Sequence, residues 1–198
     1  MVTFPSSKIT YYKVPFSYII AENIFPDDIF NEQVEKLKDF NGCRWTNRDA
    51  RFGEKNSENI FTAFIETHLK PTIVEWCLFL LQYRNKTTKN LNEKVPLSHE
   101  MLKWDYADSI KRCQDGIGYN IDIHSDMWKK VITMIVYVNG KGSGTTLWDT
   151  NKKQSYHIRK PPNSALIFVP MQGITLHSVE MNEVTDRQTI QMTLIKQI

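Results

Sequence analysis

From about residue 100 onward the chain breaks into short runs rich in Val, Ile, Tyr, Phe and Thr, each closed by turn residues. The runs are Leu102–Cys113, Ile117–Asp126, Val131–Val138, Thr145–Trp148, Ser155–Ile158, Ala165–Val169, Ile174–Val179 and Gln188–Ile195. Gly140, Gly142 and Gly144 punctuate one turn, and Pro161, Pro162 and Asn163 another. Short strands in this number predict two sheets packed as a jelly roll, with helices supporting one side.

The helices come from the first half. Pro15–Ile20 reads as an opening strand, followed by Pro26, Asp27 and Asp28 as a helix start, because proline fits the first turn and acids suit the positive end of the helix dipole. Ile29, Phe30, Val34, Leu37 and Phe40 then share one face, with Gly42 as the stop. A polar stretch, Gly53–Asn59, precedes a second apolar stripe of Leu69, Ile73, Trp76, Cys77, Leu80 and Leu81. Pro71 breaks or restarts that helix, since it has no N–H and crowds the preceding turn. Asn85–Lys94 has no apolar period and reads as an exposed loop. With 198 residues the chain suits one domain, 1–198, in which 1–99 is mainly helical support and 100–198 is the jelly-roll core.

The net charge of +3 comes from 25 basic and 22 acidic residues that are interspersed, so a nucleic-acid partner is not expected. Cys43, Cys77 and Cys113 are odd in number and widely spaced, which argues against a disulfide framework and a thiolate zinc cluster. A reducing, cytoplasmic location fits best. Ser6, Ser7 and Lys8 stand where a signal peptide needs an apolar run, and the longest apolar stretch, Ile73–Leu81, contains Glu75. Neither export nor a membrane span is expected.

His124 and Asp126 stand two residues apart in a predicted strand. Side chains alternate faces, so both point the same way and can grip one metal ion. A second imidazole from a neighbouring strand, such as His177, completes a set of two histidines and one carboxylate, the geometry associated with non-haem Fe(II) oxygenases. Alternation also puts Gly118, Asn120 and Asp122 on the face of His124 and Asp126, opposite Ile117, Tyr119, Ile121 and Ile123. Asp122 therefore competes as the carboxylate or serves as a substrate contact, as Asn120 can. On the last strand Arg187, Thr189, Gln191 and Thr193 oppose Ile190, Met192 and Leu194. Two polar stripes within apolar β-structure read as the lining of a wet pocket.

The chemistry explains these residue types. Three ligands on one face of Fe(II) leave three positions, two for the keto and carboxylate oxygens of a 2-oxo acid and one for dioxygen. A second, distal carboxylate then needs a fixed cation, and Arg187 offers a permanent charge with a two-pronged fork. A surface ion pair with Glu180 or Glu183 is the other use for that arginine. Tyr137 is either part of this pocket or plain core between Val136 and Val138. Trp128 and Trp148 serve an entrance or a sandwich core, and His68, His99 and His157 read as ordinary polar residues. Three N/O ligands plus water also describe catalytic zinc, so a zinc hydrolase stays open.

The ordered set His124-Ser125-Asp126, His177 and Arg187-Gln188-Thr189 resembles the 2-oxoglutarate and Fe(II)-dependent dioxygenase superfamily, within it the prolyl 4-hydroxylase-like branch. Tyr137-Val138-Asn139 resembles the Tyr-Leu-Asn that follows H-x-D in that family. Gly142-Ser143-Gly144-Thr145-Thr146-Leu147 is similar to its Gly-Gly-x-Thr turn. Ile158–Phe168 resembles its basic-Pro-x-x-Gly segment, with Asn163 where glycine is commoner, and Ile24–Leu37 is similar to its N-terminal helix. The resemblance covers residues 100–198 well and the first hundred loosely.

It implies an α+β fold with a double-stranded β-helix (jelly-roll, cupin-like) core. It also implies that His124, Asp126 and His177 hold Fe(II) as the catalytic centre. Arg187 would clamp 2-oxoglutarate with help from Tyr137 and Thr189. The reaction implied is O2-dependent hydroxylation of a C–H bond in a peptidyl proline or a small metabolite, releasing succinate and carbon dioxide. Asp126 favours hydroxylation, since related halogenases carry a small residue in its place. Thr193 stands where nucleic-acid demethylases of the superfamily have a second arginine. An inert jelly-roll binding module that has kept its pocket is the reading from another class.

Overall fold

A strand buried on both faces needs a layer on each side, and Val131 to Tyr137 are all buried. The computed structural model that explains this describes residues 8–38, 51–55, 64–87, 111–116, 118–127, 130–139, 144–181 and 187–195. In chain order the elements are β1 (Lys8–Tyr12), β2 (Tyr18–Glu22), α1 (Asp27–Lys38), β3 (Arg51–Lys55), a π-helical turn (Ile65–Leu69) and α2 (Lys70–Thr87). They continue with β4 (Lys111–Asp115), β5 (Asn120–His124), β6 (Lys130–Tyr137), β7 (Thr145–Trp148), β8 (Ser155–Ile158), β9 (Ser164–Phe168), β10 (Leu176–Glu180) and β11 (Arg187–Ile195). Seven strands form one sheet in the order β1-β2-β9-β6-β11-β4-β3, and four form another in the order β5-β10-β7-β8. Every pairing is antiparallel.

The large sheet has two apolar faces, and period-two alternation sorts its residues between them. Ile19, Ala21, Met134, Val136, Ala165, Ile167, Ile190, Met192 and Leu194 join Phe30 and Leu37 of α1 and Ile73, Val74 and Leu80 of α2 in one core. The opposite face gives Tyr18, Ile20, Ile135, Tyr137, Leu166 and Phe168 to a second core with Leu147 and Ile158 of the small sheet. The helices thus close the outside, and the two sheets face each other across the inside. Each fully buried Leu, Ile or Phe contributes roughly 1.5–3 kcal/mol relative to exposure, so both layers are needed to hold β6 in place.

The strands fall where the apolar runs place them from residue 130 onward. The first run is narrower: β4 starts at Lys111, and 102–110 lie outside the described residues, as do the predicted helix stop at Gly42 and the stretch 88–94. Two corrections concern helix and loop. Asn85–Thr87 belong to α2 rather than to a loop, because residues of ordinary helix propensity extend a helix whose earlier turns are packed. The strand expected at Pro15–Ile20 is β2, Tyr18–Glu22, and it is preceded by β1; it starts beyond Pro15, which lacks the N–H a ladder needs. Pro71 does restart a helix, as the second residue of α2 after the π-turn. β1 and β3, the two edge strands of the large sheet, were not expected from the sequence.

Asn163 explains its own departure from glycine. It takes a left-handed backbone (φ 61), which asparagine tolerates better than most residues. Its side chain accepts from Phe25 N at 2.9 Å and donates to Phe25 O at 2.8 Å, tying the start of β9 to the entry of α1. Among the described residues no helix is long and apolar enough to cross a membrane.

Candidate metal centre

The two histidines meet through strand register. On β10 and β5, His177 stands opposite His124, whereas Val179 stands opposite Ile121, so β5 spends three residues where β10 spends two. Such a bulge re-aims side chains. His124 therefore shares the face of Ile121, and the continuous polar stripe expected of this strand is broken. Asn120 and Asp122 are exposed, while Ile121 packs against the small cluster of Tyr119, Val179 and Met181. Asp122 contributes its carbonyl: His124 Nδ1 lies 2.8 Å from it.

His177 repeats the arrangement, with Nδ1 3.1 Å from the Thr175 carbonyl oxygen. A carbonyl only accepts, so each Nδ1 carries the proton and each Nε2 presents a lone pair. The imidazole rings are 4.3 Å apart, and Phe168 meets the His177 ring edge-on at 5.1 Å. Burial, the largest effect, pushes the His177 pKa down to about 4 against the opposing pull of Asp126. The ring is neutral at ordinary pH and needs no deprotonation before ligation.

Asp126 lies two residues past the end of β5 and is buried. Thr133 donates to its Oδ2 at 2.7 Å and Lys130 to its Oδ1 at 2.6 Å. Burial pushes this carboxyl up, but the Lys130 and His177 charges and the two hydrogen bonds outweigh it, so its pKa is lowered overall. The group is anionic and held from two sides. One ligand atom from each of His124, Asp126 and His177 fits within a span of 4.8 Å, a donor set and spacing that fit Fe(II) or zinc. His68 stands in the π-turn and His157 on β8, outside this group.

Arg187, Tyr137 and Thr189 occupy the same inner wall. Thr189 pairs across β11 and β6 with Tyr137, and Tyr137 pairs across β6 and β9 with Ser164. The Tyr137 hydroxyl lies 3.0 Å from Thr145 Oγ1 and 3.3 Å from the Ile158 carbonyl oxygen, and burial raises its pKa. Arg187 is fully buried and does not pair at the surface with Glu180, and Glu183 lies outside the described residues. Its Nη1 meets Asp115 Oδ2 at 2.5 Å and its Nη2 meets Thr145 Oγ1 at 3.1 Å. Its Nε, Thr189 Oγ1 and Ser164 Oγ are buried with no hydrogen-bond partner among the described residues. Buried polar atoms are ordinarily paired. Three left open along adjacent rungs fit the polar end of a bound molecule.

Asp115, Thr133, Lys130 and Ser164 were not singled out in the sequence. Thr145 was visible only through its resemblance to the Gly-Gly-x-Thr turn. Asp115 and Ser164 depend on cross-strand register, which no local pattern reports, whereas Lys130 and Thr133 reach Asp126 from four and seven residues further along the chain.

No family model matches the chain, and no curated protein does. Solved structures do. A Trichoplax adhaerens prolyl hydroxylase, solved with a hypoxia inducible factor oxygen degradation domain peptide fragment, matches with a TM-score of 0.56 at 12% identity. That match covers 90% of this chain and 83% of the other. At this identity the likeness is one of fold. A viral collagen prolyl hydroxylase from Paramecium Bursaria Chlorella virus-1, solved as a 2-oxoglutarate complex, matches with a TM-score of 0.55 at 13% identity over 89% and 94% of the two chains. An Arabidopsis thaliana dioxygenase for auxin oxidation, also with 2-oxoglutarate, matches with a TM-score of 0.53 at 14% identity over 89% and 76%. What the chain shares with these three proteins is the fold.

Proposed function

We propose that the chain is a single-domain non-haem Fe(II) dioxygenase that couples decarboxylation of 2-oxoglutarate to hydroxylation of a C–H bond. The observation that carries this reading is the gathering of His124, Asp126 and His177 within 4.8 Å, in the fold of 2-oxoglutarate oxygenases. In this proposal the two sheets wind as a double-stranded β-helix, and the chain works in the cytoplasm.

His124, Asp126 and His177 would hold the iron, which when bound supplies the activation of dioxygen and the attack on the C–H bond. The chain's own residues provide the rest. The Asp122 and Thr175 carbonyls fix the two imidazoles in the ligating tautomer. Thr133 and Lys130 hold the carboxylate of Asp126. Arg187, Tyr137 and Thr189 receive the distal carboxylate of 2-oxoglutarate on a wall from which water is excluded. A zinc hydrolase would leave these three without a task.

The substrate in this reading is a prolyl residue in a peptide, in line with the peptide in the Trichoplax adhaerens structure. The auxin-oxidising neighbour supports a small metabolite as the second reading. Purified protein with ferrous iron and 2-oxoglutarate should form succinate in an oxygen-dependent way, slowly alone and faster with the right peptide or metabolite. Metal-dependent hydrolysis that ignores oxygen would replace this reading with the zinc one.

A further inference from the structure

Lys130 places a positive charge directly behind one of the three candidate ligands. Its Nζ donates to Asp126 Oδ1 at 2.6 Å, with the Lys130 side chain 29% and the Asp126 side chain 8% exposed. A short turn ties the two residues together. Lys130 N, at the start of β6, donates to the Met127 carbonyl oxygen at 3.0 Å, one residue past Asp126. While that turn is kept, the ammonium stays within reach of the carboxylate. Ligation does not require it to leave, because a carboxylate has about four lone-pair sites. Lys130 and Thr133 take one on each oxygen, so each oxygen keeps a lone pair for a metal.

Anchoring alone does not explain a cation at this place. Thr133 already holds the carboxylate with a neutral donor, and a positive charge opposes the arrival of another. Its use lies in the charge balance. Ligation takes both imidazoles neutral and Asp126 anionic. Among the described residues Lys130 is the one cation paired with this set, and it cancels the charge of the carboxylate. A metal ion that becomes more positive gains no net attraction from a neutral set. Without the lysine, the carboxylate would favour the higher charge.

We infer that Lys130 tunes the metal through Asp126, favouring ferrous over ferric iron by opposing the added charge. It acts as a positioning residue for charge, and it protects the resting site from oxidation when no substrate is present. This rests on the oxygenase reading above.

The test is a mediated redox titration of the iron-loaded full chain, with the ferric form read by electron paramagnetic resonance. Lys130→Met removes the charge and Lys130→Arg keeps it. The methionine variant should favour ferric over ferrous iron about tenfold or more beyond wild type, a fall in potential of about 59 mV or more for this one-electron couple. The arginine variant should lie closer to wild type than to the methionine variant.

An unchanged potential in Lys130→Met overturns the inference. So does an equal fall in both variants, which would make shape rather than charge the cause. Should Lys130→Met not fold or not take up iron, Lys130→Gln carries the same prediction. If neither neutral variant folds and loads, the lysine is a structural anchor of Asp126 and the inference falls. Iron uptake by the wild-type protein separates the two levels of the account. If it binds no iron, the oxygenase reading itself fails and takes this inference with it. If it binds iron and loss of the charge leaves the potential in place, only the inference falls.

Discussion

His177 on β10 and His124 on β5 face each other across one antiparallel rung, with ring centroids 4.3 Å apart, and the bulge in β5 is what brings the second ring to that face. Neither ring is aimed by sequence spacing alone.

Burial of His177 makes the metal-free protein acid-sensitive. Its pKa falls from the usual 6.5 to about 4, so between these values the unfolded chain holds a proton that the folded chain refuses. Stability must then fall as pH drops through that window, by about 2 kcal/mol between about pH 7 and pH 5. Asp126 does not cause this loss, because its lowered pKa keeps its contribution in place until the pH falls below the usual carboxylate range. Urea unfolding of chelator-treated protein should show the slope, and His177→Gln should remove it.

Thr133 holds one oxygen of Asp126 from inside the protein. Thr133→Val keeps the shape and removes the donor, leaving the carboxylate anchored by Lys130 alone. Metal affinity should drop roughly 10–100-fold, as is typical when a ligand loses its supporting hydrogen bond. Mn(II) titration followed by electron paramagnetic resonance checks this, with circular dichroism to show that the fold is kept.

Arg187→Ala has two separate effects. Removing the cation breaks a buried ion pair, which should lower stability in urea unfolding. Binding of 2-oxoglutarate should weaken sharply while Mn(II) affinity is unchanged. Normal co-substrate affinity in this variant would remove Arg187 from the pocket.

Gly144 precedes Thr145, which meets both Tyr137 and Arg187. Its φ is +66, and a methyl added there would collide with the Ile158 carbonyl oxygen, which also lies near the Tyr137 hydroxyl. Gly144→Ala should therefore destabilise by at least ~1–3 kcal/mol and loosen 2-oxoglutarate binding together. Thermal unfolding and calorimetry measure the two.

Much of this was legible because strand and helix periods are local. Ile190, Met192 and Leu194 alternate with Arg187, Thr189 and Gln191, and the structure buries the first set under the helices and turns the second toward the small sheet. What failed depended on partners distant in sequence. Alternation put His124 with Asp122, but a bulge is defined by the strand across from it, and β10 begins over fifty residues after β5 ends. Arg187 was expected to face a ligand or a surface acid. The acid it meets, Asp115, sits on a strand whose pairing with β11 no short pattern announces.

The most direct test of the central claim is the absorption spectrum of the protein under anaerobic conditions with ferrous iron and 2-oxoglutarate. The account predicts a visible charge-transfer band that requires both additions together, saturates at one iron per chain, and is absent from His177→Ala and Asp126→Ala. Stoichiometric iron uptake with a spectrum that 2-oxoglutarate leaves unchanged would contradict it.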